Sequence, residues 1–324
     1  MKGSFEISIS RKRGVKYDFA VKRNITVIRG DSGSGKTTLF DMVADHMRYG
    51  DQSGVTLRCE RPCVALVDTN WQVQLSSFSD SIVFVDEGFK GLLSHEFAEA
   101  VKRSTNYYVL ITRADLPSLP YSVNEVYRIK GSGKFHSLVP LYESHEGHRY
   151  SASSVVPAPH YDVLLTEDLK SGFQFYERRF AGTDIACESA RSNANVLNWL
   201  DANLKRKIFV VADGAAFGAY SDRVIKLQAA HSESMTVCLP ESFEWLLMRS
   251  GMLGSDEVDR MLEDPGSHIE SSEYASWEQF FTAYLKRQTE GTRFAYSKSE
   301  LAEAYSVEKN ASKAMALIAC GNIR

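Results

Sequence analysis

The chain has 324 residues, 44% of them hydrophobic and 24% charged, enough for about two globular domains and incompatible with a disordered chain. Its net charge of −3 excludes a uniformly basic nucleic-acid binder, although the first 150 residues are mildly basic and the remainder is acidic. The 5 cysteines, at positions 59, 63, 187, 238 and 320, follow no disulfide or zinc spacing and read as ordinary buried thiols; without a long apolar run or a signal-peptide core, the expectation is a soluble, cytoplasmic protein with no membrane partner.

The first half alternates short apolar runs with helical periods. Strands are expected at 4–9, 16–20, 24–29, 63–67, 81–85, 107–112 and 125–129, and helices at 36–48 and 94–103, which together predict a parallel α/β sheet. Between the third strand and the first helix lies Gly30-Asp31-Ser32-Gly33-Ser34-Gly35-Lys36-Thr37, two glycines flanking four residues and then Lys-Thr. A β-branched run precedes it, and Leu39, Phe40, Met42, Val43 and Met47 follow at helical spacing. Such a strand–turn–helix points backbone N–H groups and the positive end of a helix dipole at one spot, which suits a polyphosphate. In this P-loop, Lys36 is expected to reach the β/γ oxygens, Thr37 to hold Mg²⁺, and Thr38 to join the nucleotide-binding set.

Ser81 to Val85 form an apolar strand that ends in Asp86-Glu87. Asp86 is expected to complete the Mg²⁺ shell, and Glu87 to take a proton from the attacking water. The following strand ends in Arg113, a candidate γ-phosphate sensor by charge-assisted hydrogen bonding or else a surface arginine. Thr112-Arg113-Ala114-Asp115 faintly mimics a guanine-reading motif, but arginine stands in the lysine position and Asp86 lacks the glycine three residues on, so ATP is preferred to GTP. Lys130-Gly131-Ser132-Gly133-Lys134 is too short for a second P-loop and reads as a turn.

Residues 146–159 lose periodicity and are rich in Ser and Pro. They are taken as a linker between a P-loop domain at 1–145 and a second α/β domain at 160–324. Strands are expected at 161–166, 208–212 and 235–239, with helices at 173–180, 196–204 and 241–249; Pro240 would occupy the first helical position of the last. Trp277, Phe280, Phe281 and Tyr284 are spaced as the core face of a C-terminal helix. The first strand ends in Glu167, the second in Asp213, and the third near Glu241 and Glu244. Strand ends of an open parallel sheet converge on one crevice, so these acids can share a site for Mg²⁺ or Mn²⁺. The alternative is that they are solvated turn and cap residues. His145 and His148, with His136 and His160 nearby, lack cysteine support and read as incidental.

Residues 4–142 resemble a minimal P-loop ATPase core. The Ser-Gly-Ser-Gly-Lys-Thr-Thr-Leu run looks like that of ABC-type ATPases, but no Leu-Ser-Gly-Gly signature occurs. Residues 160–250, in the order strand–Glu167, helix, strand–Asp213, resemble the TOPRIM fold of topoisomerases, primases and overcoming-lysogenization-defect nucleases, which join an ATPase to a TOPRIM domain in this order. The fold class implied is a P-loop NTPase sheet followed by a TOPRIM-like α/β domain with C-terminal helices. The resemblance implies an ATPase that controls a metal-dependent nuclease in antiviral defence or DNA repair. Two features depart from it: the usual Asp-x-Asp is Asp213-Gly214-Ala215, and the glycine after the glutamate is Asp168. Either the metal site is reduced to Glu167, Asp213 and Glu241, or cutting is lost and an ATP-driven switch that binds a protein or nucleic acid remains. A P-loop phosphotransferase is a third possibility, and oligomeric state stays open.

Overall fold

The computed structural model describes residues 1–67, 70–145, 149–151 and 160–318. The chain forms two compact units. The first is Met1–Leu141 together with Asp264–Ser276, and the second is Tyr142–Glu263 together with Trp277–Arg324.

In chain order the first unit contains β1 (Phe5–Arg11), β2 (Lys16–Val21), β3 (Ile25–Arg29), α1 (Lys36–Tyr49), β4 (Val55–Arg58), β5 (Cys63–Ala65), α2 (Trp71–Ser76), β6 (Ile82–Val85), α3 (His95–Arg103), β7 (Tyr107–Ile111), β8 (Val126–Ser132) and β9 (Phe135–Pro140). Its nine strands form one sheet in the order β4-β1-β2-β9-β8-β3-β7-β6-β5. Strands β3, β7, β6 and β5 are mutually parallel, and β3, β6 and β7 are buried along their whole length, as continuous Val/Ile/Leu/Phe runs covered on both faces should be. Toward the other edge β1 pairs antiparallel with β2 and β4, and β8 with β9, while the β2–β9 and β3–β8 pairs are parallel. The sheet is therefore mixed, not parallel as expected. Strand β1 itself carries the sign of this, since Phe5, Ile7 and Ile9 are buried and alternate with more accessible residues. Of the turn expected at 130–134, Lys130, Gly131 and Ser132 instead end β8, and only Gly133, at φ 61°, and Lys134 turn the hairpin into β9.

The second unit contains β10 (Glu143–His145), β11 (Arg149–Ser151), β12 (Val163–Thr166), α4 (Ser171–Phe180), β13 (Ala186–Ser189), α5 (Asn193–Asn203), β14 (Ile208–Val211), α6 (Gly218–Ala230), β15 (Met235–Cys238), α7 (Phe243–Arg249), α8 (Asp256–Glu263), α9 (Trp277–Thr289), α10 (Glu303–Ser306) and α11 (Glu308–Ile318). The sheet order is β10-β11-β15-β14-β12-β13, with the last four strands parallel. The fully buried strands β12, β14 and β15 lie where expected. Helix α7 does not begin at Pro240. Ser242 is its N-cap, accepting from the Trp245 amide at 3.1 Å, because a hydroxyl satisfies a free helix donor and proline cannot. Trp277, Phe280, Phe281 and Tyr284 are buried along α9.

The second half of the sequence is not one continuous unit. Asp264–Ser276 belongs with the first: the Gly3 amide donates to Gly266 O and the Ser271 amide to Met1 O, both at 2.9 Å. The Asn24 side-chain amide donates to Tyr274 O at 2.8 Å and to Ser271 O at 3.3 Å. Most of the expected linker, and His148, lie outside the described residues. Among the described residues no helix is long and apolar enough to cross a membrane.

Candidate functional sites

Strand β3 leads into the glycine-rich loop at 30–35. Gly30, Gly33 and Gly35 adopt φ of 131°, 82° and 92°, the left-handed region that only glycine enters cheaply. Helix α1 then starts at Lys36 with no side-chain cap and no acid in its first turn, so its leading N–H groups stay open to an anion. The Lys36 ammonium, on a residue only 6% exposed, donates to Gly30 O at 2.6 Å, Asp31 O at 2.7 Å and Ser34 Oγ at 3.2 Å. Ser34 in turn donates to Asp31 O at 3.0 Å. The lysine thus holds the loop in a closed arch, while Asp31, Ser32, Thr37 and Thr38 are exposed. Tyr17 on β2 props the other side, donating to Gly35 O at 2.9 Å and bonding the Thr38 hydroxyl. His136 on β9 packs on Tyr17 with ring centroids 4.9 Å apart.

Strand β7 lies between β3 and β6, so the ends of three adjacent strands carry the loop, Arg113 and Asp86-Glu87. Arg113 spans this edge: Nη2 donates to Ser32 Oγ at 2.8 Å, and Nε lies 3.7 Å from Glu87 Oε2. Asp86 Oδ1 is buried and has no hydrogen-bond partner, while Oδ2 accepts from the Gly88 amide at 3.4 Å. A buried carboxylate oxygen left unmatched is costly unless a ligand completes it, which is the arrangement a hydrated divalent ion fits. Asp41, on α1 one turn beyond Thr37, belongs to this charge cluster although its sequence position gave no notice of it. Burial, then the nearby Asp45 and Asp86, raise its pKa. Asp115 is engaged elsewhere, in an ion pair with Arg29 at 2.8 Å.

In the second unit the adjacent strands β12 and β14 bring Glu167 and Asp213 together: the Asp213 amide donates to Glu167 Oε2 at 3.1 Å, and Asp213 Oδ1 accepts from the Phe243 amide at 2.9 Å. Both carboxyls border a cavity of about 30 Å³, room for a single water or small ion, lined also by Ser171, Tyr176, Glu244 and Lys298. Burial, followed by the charge of Glu278, pushes Glu167 up to about 8; burial, then Glu167, raises Asp213 well above the usual carboxylate range. Asp168 and Glu244 also line the cavity, and Glu244, on α7, is only 1% exposed. Glu241, the expected ligand, is not among the lining residues; it sits in the turn before α7, where its carbonyl accepts from the Ala215 amide at 3.0 Å. Gly214 is required here, because a Cβ would come within 2.6 Å of Leu239 O.

Two groups from the C-terminal part of the chain complete the cluster. Lys298 is hydrogen-bonded to Glu278 on α9 and lies 3.9 Å from Glu244 Oε1. Burial works against its charge, but Glu244, Glu278 and Asp213 outweigh that and raise its pKa. Among the described residues no three His, Cys, Asp or Glu side chains are gathered closely enough to hold a metal ion.

The chain matches no protein-family model, no curated protein and no solved structure. Its sites must therefore speak through their own chemistry. The first offers an anion cradle, a fixed ammonium, an unmatched carboxylate oxygen and an acid held by a guanidinium. The second offers two enclosed carboxyls and a paired lysine. Both contain residues that pattern reading passed over, Asp41 and Tyr17 in the first and Glu278 and Lys298 in the second.

Proposed function

We propose that this protein binds and hydrolyses ATP at the first unit, and that the nucleotide cycle controls a TOPRIM-like second unit that acts on nucleic acid. The observation that carries the first part is the Arg113 bridge, which ties the phosphate-binding loop to Glu87 across adjacent strand ends. Bound Mg·ATP would supply the γ-phosphoryl group for transfer to water. Lys36 would exchange the carbonyls of its own loop for phosphate oxygens, a gain in charge-assisted hydrogen bonding. Thr37 and Asp86 would hold the Mg²⁺. Glu87 would take the proton of the attacking water, and Arg113, released from Ser32 and Glu87, would steady the charge that develops on the transferred group. The ion pair of Asp115 with Arg29 supports ATP over GTP, since that carboxylate is committed to holding the fold. Glu87→Gln should bind ATP normally and slow phosphate release by about a hundredfold or more, measured in single-turnover hydrolysis; unchanged turnover would exclude Glu87 as the base.

For the second unit, metal-dependent cleavage of nucleic acid is supported by the adjacency of Glu167 and Asp213. A non-cutting switch is favoured by a different observation, the lysine paired into the same acidic cluster. The two separate in a plasmid-nicking assay with Mn²⁺ and ATP: cleavage lost in Asp213→Ala supports the nuclease, and no cleavage under any metal supports the switch.

A further inference from the structure

In the second unit Glu167, Asp168, Asp213 and Glu244 line the cavity together with two lysines, Lys170 and Lys298. Lys170 is exposed and paired with Asp168 at 3.1 Å, whereas Lys298 is bonded to Glu278 and lies beside Glu244. Glu244 is the informative member. Its Oε1 is crowded with donors: Tyr296 Oη at 2.6 Å, Thr282 Oγ1 at 2.9 Å and the Lys298 ammonium at 3.9 Å. Tyr296 is itself fixed by Ser171, 2.6 Å away. Glu244 Oε2, equally buried, has no partner. A carboxylate side chain 1% exposed that lines an ion-sized cavity and leaves one oxygen unmatched calls for a cation close by. The acids are not gathered into a coordination shell, however, and a hard divalent ion needs several oxygens at once. The positive charge beside the buried Glu244 is that of Lys298, since Lys170 is committed to Asp168.

We propose that the Lys298 ammonium is the resident cation of this cavity, taking the place that a TOPRIM-like arrangement would give to a divalent metal ion, so that the unit holds its carboxylates together without Mg²⁺ or Mn²⁺ and admits a metal only when Lys298 is removed. A tethered ammonium is always at hand and has met its desolvation cost when the chain folds, whereas a metal ion must shed water, displace the lysine and collect its ligands. The inference deepens the switch reading of the second unit and is independent of nucleotide binding, because its test uses no nucleotide.

The test is a Mn²⁺ titration of the full-length, nucleotide-free protein, followed by the electron paramagnetic resonance signal of free Mn²⁺, with melting temperature recorded in parallel. Lys298→Met should bind one Mn²⁺ roughly tenfold or more tightly than wild type, since a positive charge a few ångströms from the site is removed. Adding Glu244→Gln to Lys298→Met should abolish that gain, and Lys298→Arg should behave as wild type. Mn²⁺ should raise the melting temperature of Lys298→Met and leave that of wild type unchanged. Should Lys298→Met not fold, the wild type decides alone: a melting temperature indifferent to Mn²⁺ and to chelator upholds the proposal. Wild type that binds one Mn²⁺ as tightly as Lys298→Met, or whose melting temperature rises with Mn²⁺ in a manner lost in Glu244→Gln, overturns it.

Discussion

The guanidinium of Arg113 lies 3.7 Å from the carboxylate of Glu87, and its other end donates to Ser32 at 2.8 Å. One exposed side chain thus joins two residues that lie 55 positions apart in sequence, Ser32 and Glu87, at the ends of the proposed phosphate site. An exposed pair of this kind adds little to stability. Under the proposed function its use is positional: it would hold a positive charge beside Glu87 until a polyphosphate draws it away.

Replacing Arg113 separates these roles. Arg113→Ala should leave the melting temperature almost unchanged while lowering the ATP hydrolysis rate by about tenfold or more, and Arg113→Lys should recover only part of the loss because it lacks the planar fork. Steady-state phosphate release and a thermal melt check this together; a large fall in melting temperature with hydrolysis intact would assign Arg113 to the fold.

The buried carboxyl of Glu167 predicts a pH dependence with a definite sign. Its pKa is pushed up to about 8, so the folded protein retains a proton that the unfolded chain releases near the ordinary value of 4.5. Stability should be greatest below the unfolded value, decline as pH rises through this interval, and level off above about 8. Glu167→Gln removes that proton and should flatten the slope. Urea midpoints collected across the interval in the presence of chelator measure it, and an identical slope in Glu167→Gln would show that the group titrates normally.

Asn24 anchors Asp264–Ser276 to the first unit through two hydrogen bonds from one side-chain amide. Asn24→Ala should cost about 1–3 kcal/mol, because it leaves partly enclosed carbonyls without their donor. Limited proteolysis should then cut within 264–276 sooner than in wild type. Unchanged cleavage there would mean that the Gly3–Gly266 and Met1–Ser271 backbone bonds hold the segment by themselves.

What could be read in advance was local. The strand–turn–helix at 30–37 and the apolar strand ending at Asp86-Glu87 were legible because the residues that form each, glycines at positive φ before Lys-Thr and an apolar run before two acids, lie within a few positions of one another. Strands β3, β6, β7, β12, β14 and β15 were legible because burial on both faces demands continuous apolar runs. Strand β13, Ala-Cys-Glu-Ser, was not, since its mixed polarity carries no period. The partners across the sheet were hidden for another reason. Glu167 and Lys298 are 131 residues apart, and nothing near Lys298 marks it as the base of an acidic cavity. Glu241 was the expected ligand, but Ser242 caps α7, so Glu241 stays in the preceding turn and Glu244, in the first turn of the helix, lines the cavity. The division of the second half at 264–276 was equally invisible, because it depends on backbone hydrogen bonds to Met1 and Gly3 that leave no pattern in composition.

The claim on which the rest depends is that the arch held closed by Lys36 opens to receive a nucleotide. Isothermal titration of the purified chain with Mg·ATP tests it most directly. The account predicts one binding event per chain, weaker with Mg·GTP and absent in Lys36→Ala of unchanged melting temperature. No heat with either nucleotide, or equal binding by wild type and Lys36→Ala, would contradict it.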